Sequence, residues 1–594
     1  MKRFVLTMLL AAAAFMAVSA ETGKNYQKIF PIDSDVYQAI TSLYISQGLA
    51  LPSTTGPWSA DELLKMLDKI ALSKLSGGTL AAYEYARAEL TRELKPAQFV
   101  LKVNLEGYYH TNTTDFTKES QWARGFNERN PLLDLVLETA PGQHFYGYSS
   151  FSLGNNKYTG WSSAEGPTST LFGQYAFTTN VWMIPPSVQN DLDFSFPYRA
   201  FGAFGGDGWS VEFGREQLSW GPGESGNFMI GDQLLYHNMG RVTTYSKNFK
   251  YTLLTSFFPY PGNYYPVTDS SGNFVGTHRS QANVISGLKM FLAHRLEFDM
   301  FKSKVSFAVT EGIMYQSADN TIDLSILSPT AIFHNYYIRS NANSLLTGEL
   351  TFSPVSFVNL YGQVVVDEFA LPGEGTPGVD PGALPNGFGY MAGVKGRYPL
   401  GKGIVSGSFE WAKTDPYLYL RDNGNYSASI TDTNDLNFVV ATRLFSNGLG
   451  GLSYDEQFLG YHYGGDAIVF NGGLGYKQFG RWYLSANVLY MIHGTHDKWT
   501  LWSRVDPSTG GSYPPNVETP TTSHDTANFG DINANLRDSV TKTTIVGIKG
   551  GCTVLKNLDV YAEGDFIYIQ NPGNISTNPP ISDFQLTTGV SYSL

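Results

Sequence analysis

The chain of 594 residues is predicted to fold as an outer-membrane antiparallel β-barrel with a small N-terminal α-helical part. Three observations predict it: an export signal with no later apolar run long enough for a spanning helix, period-two alternation over segments of about 9–11 residues, and an alternating C-terminal strand. Composition agrees with them. Charged residues are 15% of the chain and aromatics 14%, with 37 Tyr and 38 Phe, which is too little charge and too many rings for an ordinary soluble enzyme of this length. The formal charge of −12 comes without a Lys/Arg-rich run, which excludes a nucleic-acid footprint. A lone Cys552 excludes a disulfide scaffold, and it is expected to be a small buried or lipid-facing hydrophobe.

Lys2 and Arg3 precede an apolar run from Phe4 to Val18 that closes on Val18-Ser19-Ala20, the small-x-small pattern of a cleaved signal. Residues 1–20 are therefore predicted to be removed, with the mature chain starting near Glu21. No Cys follows the apolar run, so acylation of the new terminus is not indicated.

Residues 21–97 read as helical. Asp33-Ser34-Asp35 caps a segment with Val36, Ile40, Leu43 and Tyr44 on one face, and Ser59 with Glu62 forms a capping box ahead of Leu63, Met66, Leu67 and Ile70. A third segment runs from Thr79 to Leu94 and stops before Pro96. A core this small is marginal alone, so the part is expected to pack on the periplasmic mouth of the barrel.

From residue 98 to 594 the chain is strands and turns. Leu558, Val560, Ala562, Gly564, Phe566 and Tyr568 share one face, and Asp559, Tyr561, Glu563 and Asp565 the other. The same alternation occurs at Leu101–Tyr109, Val405–Trp411 and Leu484–Tyr490, and it reaches the last residue through Phe584, Leu586, Thr588, Val590, Tyr592 and Leu594. At ~25–30 residues per strand the length implies roughly 16–20 strands. Short turns at Asn447–Gly451 and Pro399–Gly403 are expected on the periplasmic side. The longer segments 155–170, 259–282, 371–388 and 496–540 are expected outside.

Enzyme chemistry finds little footing. His493-Gly494-Thr495-His496, with His462 in a neighbouring segment, has HxxH spacing, but residues i and i+3 of a strand point to opposite faces. Asp559, Glu563 and Asp565 could form an acid/base pair, yet water-filled lumens are routinely lined with carboxylates. There is no GxSxG elbow, no HExxH and no Walker loop. No metal or cofactor is expected.

The most informative stretch runs from Gly214-Arg215-Glu216 through Ser219-Trp220-Gly221-Pro222-Gly223 to Asn227-Phe228-Met229-Ile230-Gly231. Pro presets φ and the flanking glycines permit φ > 0, so the turn fixes the indole in place. This stretch resembles the Wzi family of capsule-assembly outer-membrane proteins. Further likenesses lie at Leu43–Ile70, Arg295-Leu296-Glu297, Ser325–Pro329, Leu360–Glu368 and Leu459–Asp466. The family pattern is departed from at Asp232–Asn238, where a small, Asn- and Pro-containing stretch is usual.

The resemblance implies a barrel of about 18 strands that acts, without a catalytic centre, as a lectin tethering exported polysaccharide to the cell surface. Sugars stack on aromatic rings while their hydroxyls meet Asn, Asp, Glu and Arg. Arg215, Glu216 and Trp220 are the candidates near the turn, with Gly221, Pro222 and Gly223 as its structural motif. Trp161, Trp499 and Trp502 are candidate loop platforms, although girdle or loop-packing roles would also explain them. Two other readings stay open: a porin-like diffusion or uptake channel with an open lumen, and a lipid- or glycan-acting barrel enzyme. Expected partners are surface polysaccharide, outer-membrane lipid, and barrel-assembly machinery with periplasmic chaperones during biogenesis, and the barrel is expected to be a monomer.

Overall fold

The computed structural model describes residues 24–594 apart from 118–120, 125–127, 156–159, 163–165, 169–172, 182–191, 196–197, 260–263, 269–273, 280–287, 318–341, 382, 422–435, 447–450, 499, 501–513 and 523–535. Eighteen strands form the wall. The first nine are β1 (Ala97–His110), β2 (Leu133–Thr139), β3 (Phe145–Asn155), β4 (Ala200–Gly206), β5 (Trp209–Glu216), β6 (His237–Tyr245), β7 (Phe249–Phe258), β8 (Leu288–Met300) and β9 (Val305–Ser317). The remainder are β10 (Ala342–Val355), β11 (Val358–Val366), β12 (Phe388–Leu400), β13 (Gly403–Thr414), β14 (Ala467–Gln478), β15 (Trp482–His493), β16 (Thr541–Leu555), β17 (Leu558–Gln570) and β18 (Ile581–Ser593). Every strand is antiparallel to its neighbours. β18 returns to β1 with Thr588 opposite Gly107, so the sheet closes and leaves no edge for lipid to satisfy. Phe177–Thr179 and Leu192–Ser195 extend the sheet beside β1 and β3, beyond where β2 and β4 pair.

Alternation has the consequence the sequence promised. Phe409, Leu474, Leu484, Val488, Ile548 and Phe566 share the outward parity and are exposed, while the interleaved Glu410, Asn471 and Asp565 are buried. So large an exposed apolar band is stable only against acyl chains. Cys552 is exposed on this outer face, opposite Val560, which fits the lipid-facing alternative.

Eight connections of two to five residues lie at one end of the barrel, and nine of ten residues or more lie at the other. Gly401-Lys402 is one of the short turns. Of the expected turn at Asn447–Gly451, residues 447–450 lie outside the described residues; the flanking Val439–Ser446 and Gly451–Phe458 pair with each other within the long β13–β14 connection, as a sheet separate from the wall.

Three helices cover the short-turn end: α1 (Asp35–Gln47), α2 (Ala60–Leu67) and α3 (Gly77–Leu90). Ser34 caps α1 by accepting the Val36 N–H, and Ser59 caps α2 by accepting the Glu62 N–H at 3.2 Å. Their apolar stripes meet in a cluster of Ile40, Leu43, Leu63, Leu67, Ala82 and Ala86 that also takes Ile404 from the wall. Lys65–Asp207, Lys69–Asp299 and Lys477–Asp35 tie the helices to strand ends. Between α1 and α2 the chain enters the barrel.

A candidate binding site in the barrel lumen

Residues 53–62 are anchored inside the wall by buried polar groups. Arg295 grips Glu349 with both guanidinium nitrogens at 2.5 and 2.9 Å and donates to Thr54 Oγ1 at 2.9 Å. Thr55 donates to Glu297, Arg241 donates to the Pro57 carbonyl at 2.7 Å, and Lys250 pairs with Glu62 at 2.6 Å. Each wall charge thus meets an opposite charge or a dipole, which is the condition for burying it.

From the opposite end the β5–β6 connection descends to meet this segment. Ser219 and Trp220 pair with Gly56 and Thr55, and the Gly221 N–H donates to the Thr54 carbonyl at 3.1 Å. Gly221 has φ +139°, and a Cβ there would lie 1.8 Å from Gln363 Nε2; one at Gly223 would lie 1.9 Å from the Gly226 carbonyl oxygen. Only glycine fits either position. Asn227 staples the turn, with Oδ1 accepting from the Gly223 N–H at 2.9 Å and from Gln363 at 3.0 Å, and Nδ2 donating to Ser219 at 3.0 Å.

Wall carboxylate Glu410 holds the tip by accepting the Glu224 and Ser225 N–H groups at 2.8 and 2.9 Å and the Tyr361 hydroxyl at 2.7 Å. Lys395 donates to the Pro222 carbonyl at 2.7 Å and pairs with Glu224 at 2.6 Å. Burial alone would raise the Glu224 carboxyl, but the charges of Lys395 and Arg397, with the Lys395 hydrogen bond, together outweigh it and hold the group below the usual carboxylate range.

Behind this turn the lumen is packed with apolar side chains. Trp220, Phe228, Met229 and Ile230 join Leu418, Tyr419, Phe438, Val440 and Leu459 of the β13–β14 connection, against wall residues Phe291, Val365 and Val469. Two connections therefore fold inward and fill one side of the barrel as a soluble core would be filled.

A polar cavity of about 690 Å³ remains beside the plug. Its floor includes Tyr37, whose ring stacks on Trp58 at 3.6 Å, and its roof is the Gly221-Pro222-Gly223 turn with Asn227. Arg124, Lys395 and Lys549 bring positive charge to it, and Asp232 and Glu128 bring negative charge. His462 opens onto it, and the surrounding protein lowers its pKa, with Asp232 pulling the other way. A ring face, backbone groups and charges of both signs in a cavity of this size can hold a small polar, hydroxylated ligand.

The sequence-derived candidates divide. Gly221, Pro222 and Gly223 line the cavity, but Trp220 is fully enclosed in the apolar plug and offers no ring face. Glu216 is also fully buried, held by both Arg199 nitrogens at 2.7 Å. Arg215 shares the parity of Trp209, Val211 and Phe213, and so lies on the outer face, over the Tyr236 ring at 4.4 Å and bonded to Asn238 at 3.0 Å. The side chain of Trp161 lies outside the described residues, as do Trp499, Trp502 and Ser325–Pro329.

Of the residues that do line the cavity, Tyr37, Arg124, Lys395 and Lys549 were not singled out by sequence, and His462 was considered only as a companion of the HxxH spacing. Parity could have found two of them, since Lys395 and Lys549 interrupt apolar strands at inward positions. Arg124 bridges Glu106 at 2.8 Å and Glu563 at 3.2 Å, so Glu563 is engaged by a cation rather than by a second carboxyl. Asp559 accepts from the Thr553 hydroxyl at 2.6 Å. His493 directs its two ring nitrogens at the Gly494 and Tyr463 carbonyls, at 2.9 and 3.1 Å, and His496 is buried against Thr521. Among the described residues no three His, Cys, Asp or Glu side chains are grouped to hold a metal.

No family model matches the chain, and no curated protein matches it. Solved structures do. The outer-membrane protein Wzi of Escherichia coli, involved in group 1 capsule assembly and described as a carbohydrate-binding β-barrel, aligns over 95% of this chain and 98% of its own with a TM-score of 0.54 at 13% identity. The DcaP channel of Acinetobacter baumannii and OpdK of Pseudomonas aeruginosa each align over 84% of this chain, and over 97% and 99% of their own. Their identities are 9% and 10% and their TM-scores only 0.32 and 0.35, too slight to inform the lumen. What is shared with Wzi at this identity is the fold, and the chain is a Wzi-like outer-membrane β-barrel of eighteen strands.

Proposed function

We propose that the protein is a non-enzymatic outer-membrane barrel that binds exported polysaccharide and helps to anchor or assemble it at the cell surface. In this reading the short turns and helices face the periplasm and the long connections face outward, the usual sense for such barrels. The observation that carries the reading is the packed plug that fills one side of the lumen among the described residues. A diffusion channel needs a continuous water path, whereas here Trp220, Phe228, Tyr419 and Phe438 form a packed core inside the wall and helices cover the end below it. What remains is a cavity with the composition of a sugar site. The carbohydrate binding ascribed to Wzi supports the choice of ligand.

Deleting the gene and weighing surface-attached against released polysaccharide tests the reading. A shift from attached to released is expected, and unchanged partitioning defeats it. Planar-bilayer recording of the purified protein separates the channel alternative, because large, steady single-channel steps would make the lumen a pore.

A further inference from the structure

At the short-turn end, cations and large apolar side chains recur side by side around the barrel. The β8–β9 turn carries Lys302 next to Phe301, which is 74% exposed, and the β12–β13 turn carries Lys402 close to Leu400, 56% exposed. Arg481 precedes Trp482, 40% exposed, and Lys556 follows Leu555, 64% exposed. Lys247 precedes the exposed Phe249 by two residues. All five cations are exposed, and among the described residues none makes a side-chain hydrogen bond or ion pair. Two carboxylates at this end, Asp207 and Asp299, are already taken by Lys65 and Lys69 of the helical part. A third, Asp559, is exposed beside Lys556 and accepts from the Thr553 hydroxyl. The turns therefore carry a set of exposed cations outside any ion pair among the described residues, at the boundary of the acyl-facing band.

Apolar side chains in the band with cations just past its edge match the cross-section of a lipid leaflet, in which acyl tails give way to phosphate. Arg481 and Lys556 belong to turns that flank neighbouring strands, and the Thr553 N–H donates to the Arg481 carbonyl at 2.9 Å.

We propose that this rim selects glycerophospholipids with a net negative headgroup, such as phosphatidylglycerol, as the lipids bound around the short-turn end. The selection is independent of any polysaccharide binding. It is electrostatic and falls as salt screens the ring.

The test reconstitutes the full mature chain in phosphatidylcholine vesicles and measures by electron spin resonance the fraction of spin-labelled phosphatidylglycerol, against spin-labelled phosphatidylcholine, immobilised at the protein. A preference of about fivefold is expected for a headgroup that meets one cation, lost at high salt and reduced to near parity in a chain carrying Lys247→Gln, Lys302→Gln, Lys402→Gln, Arg481→Gln and Lys556→Gln. Equal immobilisation of the two lipids by the wild-type chain overturns the proposal. So does a preference that survives in the folded variant, with folding checked by heat-modifiable gel migration. Should the variant not fold, the wild-type salt series decides, and a preference unmoved by salt overturns it.

Discussion

Glu410, on the barrel wall, accepts the backbone N–H of Ser225 at 2.9 Å, and through that bond a connection from the long-loop end is held deep inside the lumen. The same carboxylate takes the Glu224 N–H and the Tyr361 hydroxyl. It accepts from the Ser225 hydroxyl as well. Glu410→Ala removes the acceptor of four donors at once, the Tyr361 hydroxyl among them buried, and a loss of about 3 kcal/mol is expected. The thermal transition of the heat-modifiable band should fall accordingly, and Glu410→Gln, which keeps acceptor capacity, should fall less.

Gly221→Ala places a methyl group 1.8 Å from Gln363 Nε2 and forces a side chain onto φ +139°. Gly223→Ala collides with backbone, at 1.9 Å from the Gly226 carbonyl oxygen, where nothing can swing aside. Each should cost about 2 kcal/mol or more, with Gly223 the less forgiving. Limited proteolysis of the β5–β6 connection is the readout, and the barrel itself should stay intact.

Removing the inward part of that connection, residues 223–233, in favour of a short glycine linker withdraws Phe228, Met229 and Ile230 from the plug. Single-channel recordings should turn from silent to conducting. A silent deletion would mean that the β13–β14 connection alone seals the lumen.

Arg295→Met leaves Glu349 and Glu297 buried without their cation and frees Thr54 from its anchor. Breaking one side of such a pair costs about 3–5 kcal/mol. Restoring neutrality with the double change Arg295→Met and Glu349→Gln should recover much of that, as thermal melts of the three chains would register.

Glu224 carries a pH signature. Its carboxyl is held below the ordinary value of 4.5, so the folded chain binds its proton less readily than the unfolded chain. The stabilisation is present above 4.5 and drains away as the pH falls through the folded value. Glu224→Gln should lower the melting temperature at neutral pH, and its deficit against the wild type should shrink as the pH is taken down below 4.5.

The wall was legible in the sequence because its physics is local. Lipid outside and water or polar groups inside impose parity on every strand, and Phe566 beside Asp565 shows it without any knowledge of the partner strands. Parity also places Arg215 on the outer face with Phe213, although its neighbourhood to Trp220 in sequence suggests the lumen. The plug was not legible. Leu418, Phe438 and Leu459 stand in a connection with no period to announce them, and the Gly-rich sequence Asn447–Gly451 within it has the same composition as a turn of the wall. Trp220 stood out for a sound reason, its rigid turn, but rigidity there serves packing, and the rings that line the cavity are those of Tyr37, on a helix, and Trp58, both ahead of the barrel in the chain.

The pairing of Ser593 with Lys102 and of Gln585 with His110 joins the last strand to the first. A cylinder whose seam joins its first stave to its last stands open until the last is in place, so a chain stalled before β18 would carry its acyl-facing band between two unpaired edges, and should be met by proteases rather than by a membrane.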